Sequence, residues 1–311
     1  MWKRDLQECN QRIAPFIHKT PVLTSRLINQ VAGAEVYFKC ENFQRMGAYK
    51  IRGATFAILR LSDKQRAGGV VTHSSGNFAQ ALSLAARSLG INAYIVMPET
   101  APKVKKDAVL QYGGKITECE PTLSARNAMA QKIQRDKGAT FIHPSNDMDV
   151  IIGQGTVGME LLKEQPGLQH IFSPVGGGGL IAGTALAAHY FGKNCRVIGG
   201  EPYEADDAFR SLQSGKIEGN ETTNTIADGL KTVLGDKNFP IIREYADRII
   251  RVTEADIVQA MRLIWERMKI IAEPSAAVAL AAALREKETF AGKKIGIIIS
   301  GGNVDLSQLP F

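Results

Sequence analysis

The stretch Ser173-Pro174-Val175-Gly176-Gly177-Gly178-Gly179-Leu180 decides how the rest of the chain reads. An apolar run, Ile171-Phe172-Ser173, leads into four consecutive glycines, and a helix-forming segment, Gly179 to Tyr190, follows. Glycines let backbone N–H groups converge on one point, and a helix N-terminus favours an anion there. The pattern therefore predicts a strand, a phosphate cup and a helix. It is not a Walker A loop, because no Gly-Lys-Ser/Thr follows, and its spacing is not G-x-G-x-x-G. A glycine-rich turn serving only close packing is the plainer alternative.

The same alternation continues on both sides. Short strands are expected at Val36–Lys39, Val70–Thr72, Ala93–Met97, Lys115–Cys119, Thr140–Ile142, Val197–Gly199 and Ile295–Ile299. Between them lie helical segments: 54–61, 78–89, 102–112, 123–137, 155–164, 205–213, 254–269 and 275–285. Strands alternating with helices predict an α/β protein with parallel-type sheets and helices on both faces. Ligands in such folds sit in the loops that leave the carboxyl ends of strands.

Composition agrees. The chain has 311 residues, 44% hydrophobic and 22% charged, which excludes disordered, collagen-like and disulfide-scaffold proteins. No apolar run approaches the ~18 residues of a membrane helix, and Met1-Trp2-Lys3-Arg4-Asp5 lacks the apolar core of a signal peptide. Cys9, Cys40, Cys119 and Cys195 form no C-x-x-C pair, so a reducing cytoplasm is expected. The net charge of +7 has its densest cluster at Lys103, Lys105 and Lys106, a solvated helix face rather than a nucleic-acid site.

Three further junctions carry chemistry. His73-Ser74-Ser75-Gly76-Asn77-Phe78 presents two hydroxyls, an amide and helix N-terminal N–H groups, suited to a carboxylate or phenolic oxygen, or serving as an ordinary N-cap. In Ala48-Tyr49-Lys50-Ile51, apolar neighbours would lower the lysine pKa and favour the neutral amine; the plainer alternative is a surface charge. Ile299-Ser300-Gly301-Gly302-Asn303 is another glycine-rich exit from an apolar strand. A phosphate cup, a desolvated lysine and polar strand-end loops together suit pyridoxal 5'-phosphate, held by the lysine as a Schiff base.

The sequence resembles the fold-type II pyridoxal-phosphate enzymes (tryptophan synthase β-like), in their serine racemase and serine/threonine dehydratase branch. Eukaryotic-type serine racemases and enzymes acting on threo-3-hydroxyaspartate share its pattern. The resemblance runs from Thr20-Pro21 to Asn303-Val304-Asp305-Leu306. Its motifs are the Lys50 segment, Ser74-Ser75-Gly76-Asn77, Gly176–Gly179, Glu201-Pro202 with Asp206-Asp207, Ile226-Ala227-Asp228-Gly229, Trp265-Glu266-Arg267-Met268-Lys269 and Ser300-Gly301-Gly302-Asn303.

The resemblance implies that Lys50 carries the cofactor and is a base on one face of the substrate Cα, with Ser75 as acid/base on the other. It implies that Tyr49 packs near the cofactor ring, Asn77 bonds its phenolic oxygen, Gly176, Gly177, Gly178 and Gly179 hold its phosphate, and Ser300 faces its pyridine nitrogen. Ser74, Ser75, Gly76 and Asn77 would bind the substrate carboxylate, and Arg126 would lie near the substrate entrance. A small domain, residues 69–146, would be inserted in a large cofactor-binding domain, residues 1–68 and 147–311.

The three carboxylates of Glu201, Asp206 and Asp207 suit Mg2+, Ca2+ or Mn2+, or else simply enrich a helix N-terminus in acids. The resemblance favours the metal, with Glu201, the Ala205 carbonyl and Asp207 as ligands. It also implies a homodimer and leaves room for ATP as an allosteric effector. The implied reactions are serine racemisation and dehydration to pyruvate and ammonia. Threonine or 3-hydroxyaspartate ammonia-lyase activity is the alternative, β-replacement a second, and a phosphate-ligand sensor the non-enzyme reading. Phe78 stands where most relatives carry His and Ala48 where many carry Ser, so the substrate stays open.

Overall fold

The structure is a computed structural model that describes residues 2–311. Its ten strands are β1 (Val22–Leu23), β2 (Glu35–Cys40), β3 (Val70–His73), β4 (Ala93–Pro98), β5 (Lys115–Cys119), β6 (Thr140–Phe141), β7 (His170–Pro174), β8 (Arg196–Pro202), β9 (Ala246–Val252) and β10 (Lys294–Ile299). They form a six-stranded sheet, β1-β2-β10-β7-β8-β9, and a four-stranded sheet, β5-β4-β3-β6. Every pairing is parallel except that of β1 with β2. That edge is two residues long, too short for a period-two pattern to reveal it.

Apolar helices cover the six-stranded sheet. The helix Pro274–Arg285 is alanine-rich and almost wholly buried, and it packs with β2, β7, β8 and β10 in one core. The helices Met148–Glu164 and Gly179–Phe191 build a second core with the N-terminal helix Trp2–Ile13. Buried on both sides, the central strands read as continuous apolar runs, as in Ile297-Ile298-Ile299 of β10.

Two helix starts differ from the sequence expectation, and both bear on the site. The helix expected from Ala54 begins at Lys50, and the helix expected from Gly155 begins at Met148. The second is opened by Asp147, whose carboxylate accepts N–H groups from Asp149 (2.9 Å) and Val150 (3.2 Å). Glycine weakens a helix in isolation, so Gly153 and Gly155 conceal this segment. They serve a crossing instead: a Cβ on Gly153 would collide with the Cα of Gly53 in the Lys50 helix. The segment expected as one helix from Ala205 is a short 3-10 turn, Tyr203–Ala205, followed by the helix Asp207–Ser214.

A buried ionic network pins the Lys50 helix in place. Arg52 is fully buried; its Nε donates to Glu41 (2.8 Å) and its Nη1 to Glu160 (2.7 Å). Lys39, also fully buried, lies 2.8 Å from Glu160 and donates to the Thr20 carbonyl at 2.9 Å. Two cations thus face the carboxylates of Glu41 and Glu160, with Glu164 3.6 Å from Lys39, across β2, the Lys50 helix and the Met148 helix. Breaking one partner of such a set leaves an uncompensated buried charge. Arg52→Met should lower unfolding free energy by roughly 3–5 kcal/mol in a denaturant titration. A loss below about 1 kcal/mol would show that the network does not hold the helix.

Candidate active site

The four glycines leave β7 and open the helix Gly179–Phe191. Gly178 has φ +79°, a conformation that costs other residues about 1–2 kcal/mol. A Cβ there would lie 2.6 Å from Leu234 Cδ2 and 2.8 Å from Asn238 Oδ1. Buried Asn238 ties the loop down, with Nδ2 donating to the carbonyls of Gly177 (2.8 Å) and Ser145 (3.1 Å). The loop's own N–H groups remain free: none of Gly176 to Gly179 finds an acceptor among the described residues. Four buried, unpartnered donors at a helix N-terminus fit a phosphate.

Lys50 is the first residue of its helix. Its Nζ donates to the Pro144 carbonyl at 3.0 Å and sits 5.1 Å from the centre of the Tyr49 ring and 5.8 Å from that of Phe78. Burial pulls the amine pKa down to about 8, against the opposing pull of the Glu273 carboxylate. Burial also pushes the Tyr49 phenol up. The Tyr49 N–H donates to the Ser300 carbonyl at 3.0 Å, which joins the lysine segment to the end of β10. Ser300 itself is 3% exposed.

Asn77 opens the helix Asn77–Ser88, directly after β3 and the Ser74–Gly76 turn. Its Nδ2 donates to both oxygens of Glu273 (3.0 and 3.2 Å), and its Oδ1 accepts from Asn303 Nδ2 (2.8 Å). The amide is therefore oriented from both sides, with one Nδ2 hydrogen left over. Glu273 also accepts from the Asn303 N–H at 3.1 Å, and burial raises its carboxyl to about 8. The Ser74 hydroxyl accepts from the Gly76 N–H at 3.4 Å, while Ser75 and Gly76 are half-buried in the same turn. Arg126 lies on the helix Leu123–Lys137, where its Nε donates to the Thr122 carbonyl at 3.4 Å. No hydrogen bond joins Arg126 to the Lys50–Asn77 group among the described residues, although burial and, after it, the Arg126 charge hold His73 below the usual histidine range.

Pro144, Ser145, Asn238 and Glu273 were not legible as site residues. Glu273-Pro274 reads as an ordinary helix start with Pro at the first position. Asn238 lies far from the glycines in sequence, so only the folded chain brings it to them.

The acidic segment has a separate geometry. Glu201, fully buried, accepts N–H groups from Ala208 (3.0 Å) and Phe209 (2.8 Å). Asp207 accepts from the Leu234 N–H at 2.9 Å, but its Oδ1 is buried without a partner. Burial and the Asp207 charge push the Glu201 carboxyl up, and burial lifts Asp207 to about 6. Two mutually repelling buried carboxylates and an orphaned oxygen fit a hard cation; Ala205 is buried at the end of the turn that precedes Asp207. Asp206 does not join them: Arg210 (2.7 Å) and Arg251 (2.9 Å) take its carboxylate. Among the described residues no three His, Cys, Asp or Glu side chains converge on one point, so water would complete the shell, as Mg2+ tolerates.

Gly178→Ala should weaken pyridoxal phosphate binding by at least about tenfold in an absorbance titration of the cofactor-free protein. An unchanged affinity would mean that the loop does not hold the phosphate.

Known proteins resemble the whole chain. Pyridoxal-phosphate dependent enzymes match residues 13–301. A β-hydroxyaspartate dehydratase of Paracoccus denitrificans is 48% identical over 307 residues, covering 99% of this chain and 98% of its own. A serine racemase of Dictyostelium discoideum is 49% identical over 310 residues, covering 98% and 96%. Among solved structures, maize serine racemase superposes with a TM-score of 0.95 at 46% identity, covering 98% of this chain and 94% of that one.

Proposed function

The chain belongs to the pyridoxal-phosphate dependent enzymes, and from that premise we propose that it racemises serine and also dehydrates it to pyruvate and ammonia. The observation that carries this is a half-buried Lys50 amine held by a single carbonyl in a chain similar over its length to serine racemases. Bound by Lys50, the cofactor supplies the electron sink that acidifies the substrate Cα–H.

The chain's own residues do the rest. An amine with a pKa of about 8 takes and returns a proton efficiently near neutral pH. Gly176 to Gly179 would hold the phosphate, Tyr49 would pack near the ring and Ser300 would offer the pyridine nitrogen a neutral hydroxyl. Glu273 and Asn303 fix the Asn77 amide, whose spare hydrogen would serve the cofactor's phenolic oxygen. The Ser74–Asn77 turn binds the substrate carboxylate, and Arg126 attracts that carboxylate at the entrance. Ser75 exchanges a proton on the face opposite Lys50. A proton returned there inverts Cα; loss of the β-hydroxyl with a proton as water, followed by hydrolysis of the unsaturated amine so formed, instead gives pyruvate and ammonia.

The proposal extends to the surroundings. Glu201, the Ala205 carbonyl and Asp207 hold Mg2+, or Ca2+ or Mn2+, as a structural or activating ion; the orphaned Asp207 oxygen supports this. Residues 69–146 close as a small domain over the large one and exclude water. The protein works in the cytoplasm as a homodimer, an arrangement that leaves room for ATP as an allosteric effector.

One observation favours a second reading, ammonia-lyase action on 3-hydroxyaspartate or threonine without racemisation. The Paracoccus dehydratase and the Dictyostelium racemase are equally similar to this chain, at 48% and 49% identity.

Incubation with L-serine and Mg2+ should yield both D-serine and pyruvate. Ser75→Ala should cut racemisation at least about tenfold more than dehydration, in line with the 10²–10⁴ typical of a general acid/base. Pyruvate without D-serine from the unaltered enzyme would replace the racemase reading with the lyase one. Equal loss of both activities in the variant would refute the two-face arrangement.

A further inference from the structure

His143 lies two residues past β6, in the loop that leads into the helix Met148–Glu164. Its Nδ1 accepts two backbone N–H groups, from Ser145 (3.2 Å) and Asn146 (2.9 Å). A ring nitrogen that accepts carries no proton, so the imidazole is neutral and its hydrogen is on Nε2. The groups facing the ring come from several elements: His73 on β3, Lys50 at its helix start, and Asp236 and Lys237 ahead of the helix Asn238–Tyr245. Burial and the three basic neighbours hold the ring down to about 4, with Asp236 opposing, so it stays an acceptor across the working pH range.

The three residues that follow touch both the lysine and the surroundings of the glycine loop. The Pro144 carbonyl accepts from the Lys50 amine at 3.0 Å. The Ser145 carbonyl accepts from Asn238, which also holds Gly177, and the Ser145 hydroxyl fills the space a Cβ on Gly177 would take. The Asn146 side chain bonds Asp236 (2.7 Å) and the Lys237 N–H (2.9 Å). A loop of three residues thus spaces the lysine from the glycine cup, and one ring nitrogen folds it.

We propose that His143 is a positioning residue: its unprotonated Nδ1 fixes the Pro144–Asn146 loop and so sets the distance between the Lys50 amine and the glycine loop. This role rests on Lys50 being the cofactor lysine.

The test compares His143→Leu, which keeps bulk but has no acceptor, with His143→Asn. An Asn side chain at this position can accept the N–H groups two and three residues on, as in an Asx turn. Three readouts are taken on each protein: thermal melting of the holoenzyme, kcat and KM for L-serine, and the pH dependence of Lys50 labelling by an amine reagent in cofactor-free protein, mapped by peptide mass. His143→Leu should lower kcat at least about tenfold with KM within about threefold, and the Lys50 apparent pKa should rise by about one unit as water reaches the amine. His143→Asn should stay within about threefold of the original kcat and keep the original Lys50 pKa.

His143→Leu matching the original in kcat and Lys50 pKa would overturn the proposal. His143→Asn as impaired as His143→Leu, at an unchanged melting temperature, would overturn it too. If the unaltered protein shows no lowered pKa at Lys50, the reading of Lys50 fails first; if it does and His143→Leu shares it, only the role of His143 fails.

Discussion

A lysine amine taken out of bulk water, with one carbonyl for company, is the constraint on which the rest of the architecture depends. Burial of an ammonium is costly unless it is paired or neutral. Lys50 is neither ion-paired by a contacting carboxylate nor left in solvent; it donates to the Pro144 carbonyl and is lowered to about 8. Holding it there requires fixing both the helix it begins and the loop it touches. The helix is fixed by the Arg52 network and by the Gly53–Gly153 crossing. The loop is fixed by His143 on one side and Asn238 on the other.

The site stores unsatisfied polarity instead of spending it on stability. Among the described residues, four buried N–H groups of the glycine loop lack acceptors, and in the separate acidic segment the Asp207 oxygen lacks a donor. Each costs folding free energy of order 1–3 kcal/mol, which a bound anion or cation restores. Glu273 contributes in a different way. Its carboxyl, lifted to about 8, orients the Asn77 amide by accepting both from it and from the Asn303 N–H. Fixing donors and acceptors in advance spares their reorganisation during the reaction.

Much of this was legible in the sequence, and the omissions have physical reasons. The strands of the central sheets are buried on both faces, so their apolar runs stand out, and the tetraglycine announces a turn that other residues cannot make. Lys50 was legible through its apolar neighbours and the resemblance they complete. The helix from Met148 was partly hidden because its glycines lower helix propensity while permitting close crossings, a tertiary gain that no local window contains. The helix Asn238–Tyr245 and the strand Ala246–Val252 were missed altogether. So were Glu273, His143 and Asn238, because a buried acid, a neutral histidine and a structural amide acquire their roles only from partners distant along the chain.

The most direct measurement of the central claim is covalent. Borohydride reduction of the purified holoenzyme followed by peptide mass mapping should find one phosphopyridoxyl adduct, on the peptide that contains Lys50. An adduct on another lysine, or none in a protein without cofactor absorbance, would contradict the account.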